Sequence, residues 1–257
     1  MALFILLPLA MVLWFAFTTE GGSFTVENFA GLHKYARVFL KSIWLSLIAT
    51  VVCLLIGFPI GYLMSRMGEG GQRTMLMLIM LPMWMSFLLR TYAWMTLLER
   101  EGLINRFLGL FGIGPFNMIN TQGAVVLGMV YNYLPFMILP LHSIMVKIDR
   151  SIIEAAQDLG ANGFHVFLRV LLPLSVPGIV TGVTMVFVPS VSTFIISRML
   201  GGGTNLLIGD LIEQQFLGSV YNPHVGSAMS LILMAMILLI MGVINRFDDG
   251  EMEGMLV

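Results

Sequence analysis

Long stretches almost free of charge alternate along the chain with short segments that hold nearly all its polar residues. A bilayer core about 30 Å thick needs about 20 apolar residues at about 1.5 Å rise per residue. Six stretches qualify or come close: Ala2–Thr18, Ile43–Ser65, Thr74–Leu98, Ala124–Val146, Leu171–Ile196 and Val225–Ile244. All are rich in Leu, Met, Ile and Val, without the period-two alternation of a barrel strand. The pattern predicts an all-α polytopic membrane protein with six transmembrane helices. The first stretch is short, but it lacks a basic leader, and Ala16-Phe17-Thr18 is a poor cleavage site. It is expected to remain as a helix, and its abrupt start points to a longer native N-terminus.

Composition agrees with the pattern. Of 257 residues, 58% are hydrophobic and 11% charged, against about 25% charged in soluble domains. Mean hydropathy is +0.94. Lipid is therefore the solvent for much of the chain, and a net charge of -1 with no basic patch gives no sign of a nucleic-acid partner. The single cysteine, Cys53, excludes a disulfide framework or thiolate metal site within one chain. The 22 methionines read as flexible filler at helix contacts, and no metal site is predicted.

Pro59, Pro82, Pro135, Pro140, Pro177 and Pro189 all fall inside spans. In a membrane such breakers are tolerated where neighbouring helices or a wet cavity satisfy the freed carbonyls. Gly57 and Gly61, flanking Pro59, have the small-x-x-x-small spacing of a close helix contact. Orientation is not decided by charge. With both termini inside, Arg66, Arg73, Lys147, Arg150, Arg169 and Arg246 balance Lys34, Arg37, Lys41, Arg100, Arg106 and Arg198 outside.

The connection between the fourth and fifth spans differs from the others. From Lys147 it reads K-I-D-R-S-I-I-E-A-A-Q-D-L-G-A-N-G-F-H-V-F-L-R-V-L-L-P, which predicts two short helices around a tight turn. Ser151 with Glu154 forms the S-x-x-E pattern of a capping box. Gly160 is placed to end the first helix at positive φ, and Asn162 to cap the second. Phe164, Phe167, Leu168 and Leu171 fall at helical spacing on one face. Ala155, Ala156 and Gly160 leave a bare patch for another protein's backbone.

This loop resembles that of binding-protein-dependent ABC importer permeases, written E-A-A, three residues, G, nine residues, I-x-L-P. Here it is Glu154-Ala155-Ala156, Gly160 and Val170-Leu171-Leu172-Pro173, departing only in Val for Ile. The stretches Leu81–Trp94, Tyr131–Leu141 and Gly201–Phe216 extend the resemblance to the permeases of spermidine/putrescine importers. The resemblance implies a type I (MetI-like) core, with one transmembrane permease domain over 1–257 and a cytoplasmic coupling loop at 147–173. It implies a multi-pass protein of the bacterial inner membrane with both termini in the cytoplasm. Its partners would be a homologous second permease, two ATP-binding subunits and a periplasmic solute-binding protein. Glu154 would make a polar contact with the ATPase, Ala155, Ala156 and Gly160 would give the close fit, and Asp158 and Pro173 belong to the same coupling segment. Glu154 has a plainer alternative role, completing the capping box. The expected function is ATP-driven import of a small cationic solute, spermidine or putrescine, by alternating access. Another small solute, or an ion-coupled secondary transporter, is the alternative.

The chain has no G-x-x-x-x-G-K-[ST] loop. It is read as not an enzyme and without a cofactor of its own, with ATP and Mg on the partner ATPase subunits. A cation path calls for carboxylates or aromatic faces. Candidates are Trp84, Tyr92, Trp94, Tyr131, Tyr133 and the i, i+3 pair Asp210 and Glu213. Each aromatic taken alone fits an interfacial belt better, and the two carboxylates fit a solvated outer loop. Arg90 costs the third span about 2.5–3.5 kcal/mol if it sits at the helix centre. It is expected to snorkel, or to face a cavity or partner helix as a gating or docking group.

Overall fold

The computed structural model describes residues 2–19, 21–203, 205–218 and 221–254, with side chains described from 3 to 244 among them. Among the described residues the fold is helical, with one isolated bridge between Thr18 and Phe24. The principal helices are α1 (Ala2–Ala16), α2 (Ala36–Ser65), α3 (Glu69–Met80), α4 (Phe87–Leu98), α5 (Leu103–Gly109) and α6 (Gln122–Met145). They continue with α7 (Arg150–Asp158), α8 (Gly163–Val166), α9 (Val176–Ser192), α10 (Ile195–Gly201), α11 (Ile208–Leu217) and α12 (Pro223–Gly254).

Three helical stretches are long and apolar enough to cross a membrane unbroken: Glu27–Ser65, Gln122–Met145 and Pro223–Ile244. Two further crossings are bent pairs, and the apolar stretch Leu3–Ala16 is shorter. The third expected span is not one straight helix. Pro82 sits in a 3-10 turn (Leu81–Trp84), Met85 is extended, and the flanking helical segments meet at 87°. The fifth is also divided, by a 69° bend at Ser175 between Pro173 and Pro177. A proline lacks the N–H that would continue the helical ladder and crowds the carbonyl four residues before it. Pro59, Pro135, Pro140 and Pro189, by contrast, lie inside uninterrupted helices. The fifth expected span also breaks at its far end, where α9 stops at Ser192 and Ile195 opens the separate helix α10.

The chain divides into two compact units whose boundaries fall within helices. One comprises Met1–Ser46, Trp94–Val125 and Val191–Ile240. Its core gathers Ala16, Leu32, Ala228 and Met229, with Phe17, Phe29 and Ile232 packed around them. Asn28 donates to the carbonyls of Ala16 and Thr18, and His224 Nδ1 lies 2.9 Å from Phe15 O. These bonds satisfy carbonyls at the end of α1, where no further helical turn supplies donors.

The other unit comprises Leu47–Ala93, Val126–Ser190 and Met241–Val257. In it α2, α6 and α9 meet through glycines. A Cβ at Gly57 would lie 2.9 Å from Met137 Cγ, and one at Gly61 3.3 Å from Leu141 Cβ. One at Gly182 would lie 2.7 Å from Met137 Sδ. The G-x-x-x-G spacing thus serves close packing, which in lipid replaces the hydrophobic drive between helices.

Candidate functional site

The loop after α6 folds as a helix, a tight turn and a second helix. Its cap differs from the expected one. Asp149, not Ser151, is the N-cap of α7, accepting from the Ser151 backbone N–H at 3.0 Å. A carboxylate two residues earlier reaches that orphan amide first, so Ser151 becomes part of the helix and the S-x-x-E capping box does not form. The bond from the Ser151 amide, reinforced by its hydroxyl, holds the Asp149 carboxyl below the ordinary aspartate range. Glu154 is left exposed, with no ion pair or side-chain hydrogen bond among the described residues.

Gly160 has φ +85°, and the helix end is a Schellman turn. Ala161 N–H donates to Ala156 O at 3.0 Å and Gly160 N–H to Gln157 O at 2.8 Å. Asn162 then caps α8 by accepting from His165 N–H at 2.9 Å. Together the turn and cap reverse the chain within a few residues and leave Leu159 90% exposed at the tip. Ala156, Gly160 and Ala161 line a shallow groove of 430 Å³ beside it, bounded by His165 and Arg169.

The second helix does not keep the expected single face. Residues Phe167–Leu171 form a π-helical turn, which changes the angular spacing of side chains. Leu171 is buried and Phe167 packs edge-on to Phe58 at 5.2 Å between centroids. Phe164 and Leu168 stay exposed. Ala155 and Asp158 are also exposed, and Pro173 stands between the π turn and the bend at Ser175.

The candidate pathway residues separate. In the unit that holds the loop, Trp84 is 83% exposed and Tyr92 is also exposed, whereas Tyr133 is buried and donates to Pro189 O at 3.4 Å. Tyr131 is partly exposed. Arg90 is 8% exposed, with its guanidinium 5.9 Å from the Phe87 ring centre and Nε without a partner. It is therefore enclosed one turn after the 87° bend, not snorkelled into open solvent. Sequence reasoning missed Asn132, which is buried with Nδ2 on Gly128 O and Oδ1 unpartnered. Its signal was a lone amide inside an apolar span.

In the other unit Trp94 is half-buried, and Asp210 and Glu213 take different surroundings. Asp210 is fully buried near the start of α11, where Oδ2 accepts from Ser197 Oγ at 2.5 Å and from Leu207 N–H at 2.9 Å. Burial pushes its carboxyl above the ordinary aspartate value, while the Ser197 and Leu207 donors hold it back. Glu213 forms a two-pronged ion pair with Arg198 of α10, whose guanidinium is held further above its usual value by that bond. The two carboxylates therefore do not share an open cation-binding face. They fasten α11 to α10. Asp210→Asn preserves the acceptor without the buried charge and is expected to keep wild-type thermal stability. Asp210→Ala strands both donors, at about 1–3 kcal/mol each if unsatisfied. A fall in melting temperature confined to the alanine variant would verify the assignment.

Apolar crossings, a broken third span and an exposed helix–turn–helix loop define a polytopic helical membrane protein. The chain belongs to the family of binding-protein-dependent transport system inner membrane components, whose model matches residues 1–250. It is 40% identical to the spermidine/putrescine transport system permease protein PotB of Haemophilus influenzae, over 97% of this chain and 92% of that one. It is 34% identical to PotB of Escherichia coli, over 98% and 96% of the two chains. Among solved structures it resembles a bacterial ABC transporter involved in import of the acidic polysaccharide alginate. There the TM-score is 0.74 at 19% identity, covering 96% of this chain and 90% of that one. It also resembles the MetNI methionine ABC transporter, with TM-score 0.60 at 21% identity, over 84% and 95% of the chains. The fold is the MetI-like permease core, and the chain is an inner-membrane ABC importer permease, with ATP hydrolysis residing in separate subunits.

Proposed function

We propose that this permease passes spermidine or putrescine from a periplasmic binding protein into the cytoplasm, paired with a homologous permease and driven by two ATP-binding subunits that hold ATP and Mg. The observation that carries the coupling role is the unengaged Glu154 beside the Schellman turn, with the bare Ala156–Gly160 groove and the protruding Leu159. In this reading α7 is the coupling helix. It lies on the cytoplasmic side, and both termini lie there with it. Similarity to the two PotB proteins over nearly full length supports the polyamine assignment. Trp84, Tyr92 and Tyr131 are the favoured cargo-facing groups, because their exposed rings offer cation–π faces to an ammonium.

The complex, co-expressed from neighbouring genes and reconstituted in liposomes with its binding protein, is expected to hydrolyse ATP faster when spermidine or putrescine is added. Stimulation only by a different solute would discard the polyamine assignment and retain the permease. Arg90, enclosed one turn after the bend, is proposed as a gating or docking group. Arg90→Ala is expected to lower uptake about tenfold or more, the scale of losing one charge-assisted hydrogen bond. Unchanged uptake and unchanged association with the binding protein would remove Arg90 from the mechanism.

A further inference from the structure

Beneath the coupling loop lies an apolar cavity of 610 Å³, within the unit that also holds the loop. Leu54, Phe58 and Tyr62 of α2 form one wall, Ile153 of α7 and Phe167 of the π turn another, and Ile179 of α9 closes the end. Its volume is that of a small-molecule site, about 300–1,000 Å³, but its walls offer few polar groups to orient a soluble ligand.

A basic corner adjoins this cavity at Tyr62. Tyr62, which lines it, also carries the Arg66 guanidinium 5.2 Å from its ring centre. Arg66 Nη1 donates to Ile148 O at 3.4 Å, whereas Nε and Nη2 are shielded and have no partner. Arg150 Nη2 donates to Arg66 O at 2.9 Å, which brings a second guanidinium to the same corner. No carboxylate pairs with Arg66 among the described residues, and the neighbouring Asp149 is engaged at the α7 N-terminus. Unused donors on a shielded guanidinium are costly unless an acceptor arrives.

Spacing relates the two features. From Leu54 to Ser65 the helix α2 rises about 16 Å, at about 1.5 Å per residue. Half of a hydrocarbon core about 30 Å thick is about 15 Å. An apolar trough lined from Leu54 to Tyr62, with Arg66 one turn further along the chain, matches one acyl chain with its headgroup phosphate. Arginine forks suit phosphate oxygens in two-pronged contact.

We infer that this trough is a phospholipid site, with an acyl chain between α2, α7 and α9 and the headgroup phosphate on Arg66 and Arg150. The occupant touches α7 at Ile153 and Gln157, so lipid binding and the proposed coupling share one helix. The placement in the inner leaflet rests on the proposed cytoplasmic position of α7. The lipid site itself rests on the cavity and the arginines.

The test uses the assembled complex in phosphatidylcholine nanodiscs containing phosphatidylglycerol with a photoreactive acyl chain. Labelled peptides are mapped by mass spectrometry and referred to α1, whose apolar side chains are widely exposed. Expected is enrichment of label on residues 54–62 and 153–172 over α1, falling about tenfold in Arg66→Gln, the loss of one charge-assisted contact. Gly163→Leu supplies an independent variant. Gly163 lines the cavity, and a Cβ there meets nothing within 4 Å, so the added side chain fills the trough without a clash at the backbone. It too should abolish the enrichment. Labelling equal to α1, or labelling indifferent to both substitutions, would each overturn the inference. Co-purification of an ATP-binding subunit from the same sample reports separately on the permease reading. Its absence would sink the coupling role while the labelling pattern still decided the lipid site.

Discussion

Reversing the charge at Glu154, or replacing Gly160 by valine, is expected to cut solute-stimulated ATP hydrolysis at least tenfold while leaving the permease in the membrane. The two variants fail for different reasons. Glu154 is exposed and makes no bond within the chain, so Glu154→Lys costs the isolated permease little. Its cost appears on docking, where a like-charge contact at an interface amounts to several kcal/mol, and each 1.4 kcal/mol is about tenfold in affinity. Gly160 sits at φ +85°, where a β-branched residue is a genuine outlier. Valine there costs about 1–2 kcal/mol in backbone strain and loosens the Schellman turn that projects Leu159. A Cβ at position 160 meets nothing within 4 Å inside the chain, so internal crowding is not the cause. Gly160→Asn separates the remaining effects, because asparagine tolerates the left-handed conformation. Activity near wild type in the asparagine variant would locate the defect in the turn. Activity as low as in the valine variant would locate it in bulk at the docking surface. Normal stimulation in Glu154→Lys and Gly160→Val together would remove α7 from coupling.

The unbroken crossings were legible because each depends on a local property, an apolar run long enough for the bilayer. The E-A-A loop was legible because its glycine and Asn162 cap are local devices as well. What escaped the sequence depends on competition between neighbours. Asp149 and Ser151 both suit an N-cap, and only the conformation of the Lys147–Asp149 turn selects the aspartate. Six prolines looked alike in the apolar spans, but among the described residues the two sharply bent breaks fall beside Pro82 and Pro177. At Pro59, Pro135, Pro140 and Pro189 the helix runs on, as membrane helices do when neighbours re-satisfy the freed carbonyl. The i, i+3 spacing of Asp210 and Glu213 placed both on one side of α11, but not which group faced them. Ser197 and Arg198, adjacent in sequence, take one carboxylate each.

The same polar fastening leads to the largest structural effect expected from a single methyl group. Gly209 lies between the buried Ile208 and Asp210, where α11 approaches the end of α9. A Cβ at Gly209 would stand 2.5 Å from Ser192 O and 2.6 Å from Thr193 O. Both are backbone atoms, so no rotamer change relieves the contact, and α11 must shift from the chain it rests on. That shift pulls on three bonds at once. Ile208 N–H donates to Ser42 Oγ at 2.8 Å, Leu207 N–H to Asp210, and Ser197 Oγ to Asp210. Overpacking alone costs about 1–3 kcal/mol, and each buried donor left unpaired adds about 1–3 kcal/mol. Gly209→Ala is therefore expected to lower the melting temperature of the purified complex markedly and to reduce the amount of assembled permease. Gly203→Ala is its control: at φ +72° it adds left-handed backbone strain that Gly209 does not have, but a Cβ there meets nothing within 4 Å. Thermal unfolding followed in detergent decides between the two. A loss in Gly209→Ala well beyond that in Gly203→Ala would mean that the fit of α11 against the Ser192–Thr193 carbonyls holds this unit together. Equal losses would reduce the effect to generic glycine replacement, and the close approach would then have no special weight in stability.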